Sequence, residues 1–404
     1  MDILATLLGT GGLLWTLAFF ILAIGIIVFV HEYGHYITAK RYGMRVTEFF
    51  VGFGKRLWST QRGETEFGIK AIPAGGYCKI SGMSPNEELA DEFKPRAFYL
   101  ASAPKKLVVL GAGSFLHFVL ALFLLFTLFA GIGTSQVLPT ISQVLPCVPK
   151  ESTCKAGDPI SPAKRSGLMP GDEILGVNGQ ELAWKESAEI LRASAEREIT
   201  LLIKRDGQVV NIAITPATRV VEGDSRGFLG IINEFGLVRQ NPIKAAASSV
   251  RATGAIFEGS IKALISLPSQ IPSLIGQTFF GQERNSQGLV GIVGVARASG
   301  ETVSSGNLST GEKVATFILI VASLNIFVGI FNLLPILPLD GGHMAVASYE
   351  AIRRRIAAMR GKADPGPVDV EKLTPITLVV FAVLLVLTVI LLIADIFNPI
   401  NLNL

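Results

Sequence analysis

Charge is what this sequence has least of. Only 17% of its 404 residues are Asp, Glu, Lys or Arg, against 50% hydrophobic residues, and the net charge is +4. So small a positive balance gives no argument for nucleic-acid binding, and so apolar a chain is not an ordinary soluble protein. Three cysteines are too few for a disulfide-built scaffold. No Lys or Arg precedes the first long apolar run and no small-residue cleavage site follows it, which argues against a cleavable signal peptide. No internal repeat of fixed period is present. Histidine is scarce too, with four residues in the chain, and where those four fall matters below.

What the chain does have is long hydrophobic runs, and its mean hydropathy is +0.49. Four of them, at about 13–36, 106–131, 314–342 and 374–396, approach the length a bilayer requires. Basic residues crowd two of the intervening loops. Lys40, Arg41, Arg45, Lys55, Arg56 and Arg62 lie in the first, and Arg353, Arg354 and Arg355 in the last. The positive-inside rule puts those loops in the cytoplasm, and both termini and the large 132–312 segment outside. Cys78 then falls on the reducing side. Cys147 and Cys154 fall outside, where a disulfide between them is permitted.

The expected architecture is a polytopic α-helical membrane protein with about four transmembrane helices. It carries a membrane-associated β-hairpin or edge strand and an extracytoplasmic α/β domain. The first helix occupies 1–43 and a cytoplasmic or membrane-dipping β-element with its connector 44–104. The second helix covers 105–132 and the outer domain 133–218. Amphipathic helices on the outer face are expected over 219–312. The third transmembrane helix spans 313–349, a basic cytoplasmic loop 350–372, and the fourth helix with its tail 373–404. In the outer domain, Asn178-Gly179 and Asp206-Gly207 are expected hairpin turns, and "WKESAEILRASAER" (184–197) has helical spacing. In the β-element, "AIPAGGYCKI" suggests a strand loosened by glycine.

Titratable side chains in hydrocarbon demand an explanation. The first run continues without a break into "HEYGH" (31–35), and two of the four histidines are there. Positions four apart share a helix face, so His31 and His35 can offer two imidazoles to one metal ion. Glu32, one step round, is placed to take a proton from water. A hydrolytic zinc site wants a third protein ligand. Asp340 in "NLLPILPLDGGH" (332–343) is the candidate, because Pro335, Pro338 and Gly341-Gly342 break the third run around it.

HEYGH in a first span and N-x-x-P-x-x-P-L-D-G-G in a later one resemble the site-2 protease family of intramembrane zinc metalloproteases. "AIPAGGYCKISGM", "SGLMPGDEILGVNGQEL", which is similar to a PDZ domain, and "GLVGIVGVAR" follow in family order. The resemblance extends to the bacterial branch that carries out regulated intramembrane proteolysis. It implies Zn2+ held by His31, His35 and Asp340, with Glu32 as general base. Gly75, Gly76 and Tyr77 would bind the unwound substrate by strand addition, and Asn325 and Asn332 through side-chain amides. Helix–helix contacts are an alternative role for both asparagines.

Implied partners are the lipid bilayer and single-pass membrane proteins, such as anti-sigma factors or remnant signal peptides, trimmed first by a site-1-type protease; nucleic acid is not among them. The implied location is the bacterial cytoplasmic membrane, with the active site towards the cytoplasm. One departure stands out: where relatives carry G-P-x-x-N-F in the second span, "GSFLHF" has Ser114 and His117. His117 is open to a hydrogen-bonding role, to metal ligation or to plain helix packing. The seven-residue offset between Asn325 and Asn332 is a second departure. Two other classes share some of these features: a metal or proton transporter, which needs no Glu beside the first His, and a PDZ membrane scaffold with a vestigial site.

Overall fold

The computed structural model describes residues 12–149, 154–155, 157–221, 224–284, 288–304 and 308–399. The outermost tails, read above as extracytoplasmic, lie outside that set. The chain forms two compact units, one of residues 133–238 and one of the remainder.

In the larger unit, helix α1 (Gly12–Arg41) is an apolar run without proline. It stops where Gly43 takes φ +77°, a left-handed residue that lets the Met44 N–H close on the Ala39 carbonyl at 2.9 Å. Lys40 and Arg41 sit in its last turn, where cations favour the negative end of the helix dipole. Strands β1 (Val46–Arg62) and β2 (Thr65–Ile80) follow as one long hairpin.

The hairpin folds back on itself. Residues 46–51 pair with 76–80 on one side and with 66–69 on the other. The reversal is made at Gly52 (φ +93°), Gly54 (φ +82°) and Gly75 (φ +139°), conformations that residues with a Cβ adopt only under strain. Among the described residues, segment 76–80 therefore pairs on one side only and forms an edge. That edge runs against α1.

Helix α2 (Ala103–Phe126), continued by a wider turn over Thr127–Ile132, is the centre of the unit and packs on α1 and on three later helices. Four helices in the described residues are long and apolar enough to cross a membrane, and this is a membrane protein. They cover Ile21–Arg41, Ala103–Ile132, Thr310–Asn332 and Val370–Phe397.

Two expectations need correction here. The third segment, assigned as a single span over 313–349 with a break at its prolines, is two separate helices. The first ends at Asn332, and the second begins at Asp340, because the prolines at 335 and 338 withhold N–H donors from a continuing helix. These are α7 (Thr310–Asn332) and α8 (Asp340–Met359), preceded by α5 (Pro242–Phe279) and α6 (Ile292–Ser304) and followed by α9 (Thr374–Phe397). The 219–312 stretch also differs from a set of helices lying apart on the outer face. Its main element, α5, is a single 38-residue helix packed along α2, α7 and α9. Phe257 meets Phe118 of the second span edge-on at 5.8 Å. Its buried residues include Ala245, Ser249, Ser260 and Gly276, small side chains that permit close approach while keeping the stretch too polar to read as a span.

The smaller unit is a sheet in the order β10-β3-β4-β6-β7 with short helices α3 (Pro162–Arg165) and α4 (Trp184–Ala193). Its strands are β3 (Thr134–Val144), β4 (Glu173–Val177), β5 (Gln180–Glu181), β6 (Ile199–Arg205) and β7 (Gln208–Ile214), then β8 (Ala217–Val221), β9 (Asp224–Phe228) and β10 (Ile231–Val238). Ile141, Ile174, Leu201, Ile203 and Ile214 fill its core. Both expected turns form, with Asn178 at φ 54° and Asp206 at φ 51°, each followed by a left-handed glycine. Cys147 and Cys154 are disulfide-bonded. The boundary at 218 is too early: β10 pairs with β3 to complete the sheet, a long-range pairing that no local pattern announces.

The turn of the β1–β2 hairpin is clamped to the end of α1. Glu64 accepts two hydrogen bonds from the Arg96 guanidinium, both at 2.7 Å, and another from Lys40. Arg96 also donates to the Gly43 carbonyl at 2.8 Å. Hydrogen bonding to Arg96 outweighs partial burial and, with Lys40, lowers the Glu64 carboxyl to about 2. A depressed carboxylate stabilises the fold fully above its unfolded value near 4.5 and loses that contribution as the pH falls towards about 2. Glu64→Gln should lower the thermal midpoint of the detergent-solubilised protein at pH 7 by the equivalent of about 1 kcal/mol after solvent screening. The gap between variant and parent should narrow steadily below pH 4.5. A constant gap from pH 7 to pH 3 would refute the clamp.

Candidate metal centre

The site is assembled from two separate helices. His31 and His35 come from α1 and share a face by their spacing of four. Asp340 arrives from the first turn of α8, where the helix dipole favours a carboxylate. His31 Nε2 lies 3.2 Å from His35 Nε2 and 3.2 Å from Asp340 Oδ2, and His35 Nε2 lies 3.4 Å from the same oxygen. These three residues are the group in the described residues whose ligand atoms converge closely enough to hold a metal ion.

The donor chemistry fits a divalent cation. His35 Nδ1–H donates to the Val109 carbonyl of α2 at 2.8 Å, so its Nε2 turns a lone pair towards the other two groups. Asp340 Oδ2 is buried without a hydrogen-bond partner. Lone pairs converging at 3.2–3.4 Å repel one another unless a cation lies among them. That spacing is also the edge, about 3.3 Å, of a tetrahedron with the roughly 2.0–2.1 Å bonds of zinc to nitrogen and oxygen.

Glycines make the convergence possible. A Cβ at Gly34 would lie 2.6 Å from the Ala112 carbonyl oxygen, so α1 and α2 touch backbone to backbone there. A Cβ at Gly113 would lie 2.6 Å from His31 Nδ1 and 2.8 Å from His35 Nε2. Gly341 and Gly342 likewise press directly on the backbone of the 333–337 turn. None of these contacts was legible beforehand, although the small residues in "GAGS" (111–114) were a signal for close helix packing.

Glu32 is 9% exposed beside these three side chains, and the Cys78 N–H of the β2 edge reaches its carboxylate. Gly76 passes over it so closely that a Cβ would lie 3.2 Å from Glu32 Cγ and 2.6 Å from Val28 Cγ1. The edge residues Gly75, Gly76 and Tyr77 are therefore next to the centre. Tyr77 is turned away from it, donating to Glu48 at 2.6 Å and accepting from Lys70 at 2.7 Å.

The two asparagines separate. Asn332 Nδ2 is 3.4 Å from His31 Nε2. Asn325 lies one layer back, fully buried, with Nδ2 bonded to the Val321 carbonyl and Oδ1 3.0 Å from His117 Nδ1. His117 is not one of the converging ligand atoms but stacks on His31 at 4.9 Å.

Helices able to cross a membrane thus accompany two imidazoles and a carboxylate that could hold a metal ion, with a glutamate adjacent to them. Residues 19–363 match the model of peptidase family M50. The chain is 36% identical over 409 residues to zinc metalloprotease Rip1 of Mycolicibacterium smegmatis, an alignment covering 95% of this chain and 97% of that protein. It is 34% identical to Rip1 of Mycobacterium tuberculosis, with the same coverages, and 26% identical to the regulator of sigma-E protease RseP of Salmonella typhimurium, covering 84% and 92%. The chain belongs to peptidase family M50. It is a zinc metalloprotease.

Crowding at Gly113 is directly testable. Gly113→Ala should weaken zinc binding at least about tenfold in chelator competition, since ligand orientation sets metal affinity. Gly25→Ala, on the same helix as the histidines but with nothing near its Cβ position, should bind zinc as the parent does.

Proposed function

We propose that this protein cleaves the transmembrane segments of single-pass membrane proteins, with His31, His35 and Asp340 as zinc ligands and Glu32 as general acid–base. The observation that carries the proposal is the enclosure of a complete hydrolytic set beside a strand edge that pairs on one side only. Zinc held by these three residues supplies a Lewis acid that polarises a peptide carbonyl and acidifies water. Glu32 accepts the proton of the attacking water on its carboxylate and returns it to the departing amide nitrogen.

A helical substrate hides its peptide bonds in its own hydrogen bonds, so it must be unwound before it is cut. The edge at 76–80 offers replacement partners to the unwound backbone by strand addition, with Gly75, Gly76 and Tyr77 nearest the centre. Asn332, close to His31, has the reach for a substrate carbonyl. Asn325 does not, because both ends of its amide are engaged within the protein.

The positive-inside pattern supports an orientation with the β-hairpin and the 350–372 loop in the cytoplasm and the 133–238 unit outside, in a bacterial cytoplasmic membrane. The outer unit has the strand–turn–strand, helix and hairpin order of a PDZ-like domain. We assign it the role of admitting substrates whose outer portion an earlier protease has removed. One relative's name, regulator of sigma-E protease, supports a regulatory role, and we assign membrane-bound anti-sigma factors as candidate substrates.

Glu32→Gln decides the role of that residue. In detergent the variant should keep the zinc content of the parent and lose cleavage of a single-span substrate by at least about a hundredfold. Cleavage at the parental rate would remove Glu32 from the chemistry. A parent with full zinc and no cleavage of any span would favour a binding scaffold.

A further inference from the structure

A histidine that binds a metal through one nitrogen ordinarily donates its other N–H to a carboxylate, a carbonyl or water, and this fixes the ring. His35 obeys, through Val109. His31 does not: its Nδ1 is buried and has no hydrogen-bond partner. The reason is geometric. The Nδ1 and Cε1 edge of the ring abuts Gly113, where even a Cβ would lie 2.6 Å away, so no acceptor fits on that side.

Something else must hold the ring, and the residue lying against its face is His117. The two imidazoles are stacked at 4.9 Å with 28° between their planes. His117 is 1% exposed and sits one helical turn after Gly113 on α2. Its own orientation is fixed from α7. The Asn325 amide gives its N–H to the Val321 carbonyl at 2.8 Å, which leaves Oδ1 to accept from His117 Nδ1–H at 3.0 Å. Gly329, one turn further along α7, allows this approach, since a Cβ there would lie 3.2 Å from His117 Cβ.

We propose that His117 is a positioning residue that orients the metal ligand His31 by stacking, in place of the missing Nδ1 hydrogen bond, and that Asn325 serves it by fixing the His117 ring. This rests on the zinc-ligand role proposed for His31. It gives the departure at 117 a function in this chain: a flat ring is required where an amide would offer a weaker stacking surface. It also removes Asn325 from substrate binding and places it behind the metal ligand.

The test compares the parent, His117→Ala, His117→Phe and Asn325→Leu as full-length protein in detergent. Zinc affinity is read by chelator competition, and ligand-field geometry by the visible absorption of the cobalt(II)-substituted forms. His117→Ala should bind zinc about tenfold or more weaker and shift the cobalt bands. His117→Phe, which keeps a ring of similar size and loses both nitrogens, should recover affinity to within a few-fold of the parent with a near-parental cobalt spectrum. Asn325→Leu should fall between the two. Parental affinity and spectrum in His117→Ala would overturn the inference, as would a Phe variant as impaired as the Ala variant. A parent that holds no metal would sink the metallopeptidase reading itself, which separates the two failures.

Discussion

The molecule depends on how closely two membrane helices can approach. Imidazoles on α1 reach the Val109 carbonyl and the space beside Asp340 only because Gly34 and Gly113 bring the backbones of α1 and α2 into contact. A methyl group at either position would push apart the surfaces that aim the two imidazoles. Hydrocarbon adds no hydrophobic drive to close such an interface, so small residues and buried hydrogen bonds have to hold it. The same logic recurs at Gly341 and Gly342, which press the start of α8 onto the 333–337 turn and so deliver Asp340.

Around that contact the polar groups form layers. Innermost are His31, His35 and Asp340; outside them, the Val109 carbonyl holds one histidine and the His117 ring lies on the other. Further out, Asn325 braces His117. A buried Lys106–Glu350 pair at 3.0 Å joins α2 to α8, the two helices that supply the Val109 carbonyl and Asp340. Glu350 is also paired with Arg354 at 3.2 Å, whereas removing Glu350 would leave Lys106 as an uncompensated buried charge, which ties the relative placement of these helices to the carboxylate. A chain with little charge thus spends much of its buried charge on one centre and its braces.

Much of this was readable from residues in order along the chain. The hydrophobic runs, the histidines four apart, the glutamate between them and the aspartate at a proline-broken helix each express a local rule of spacing or length. The Asn178-Gly179 and Asp206-Gly207 turns are equally local, and both formed where expected. Long-range pairing was not readable. The outer unit runs on to Val238 because β10 returns to β3, and α5 packs against the second span although its composition reads as polar. Its small residues lower its hydropathy for the same reason that they let it dock closely.

Sequence by itself determined the chemistry available: two imidazoles and two carboxylates, each at a helix position with a reason to be there. Tertiary structure decided how those groups are held. It put Asn332 beside His31 and Asn325 behind His117, though both belong to one helix and both were expected to offer side-chain amides to a substrate. It also made the 76–80 segment an edge next to Glu32, through a hairpin that reverses at three glycines. Spacing along a helix specifies which side chains share a face, because the helix repeat is fixed. What that face meets depends on contacts between distant segments, and those exist only once the chain has packed.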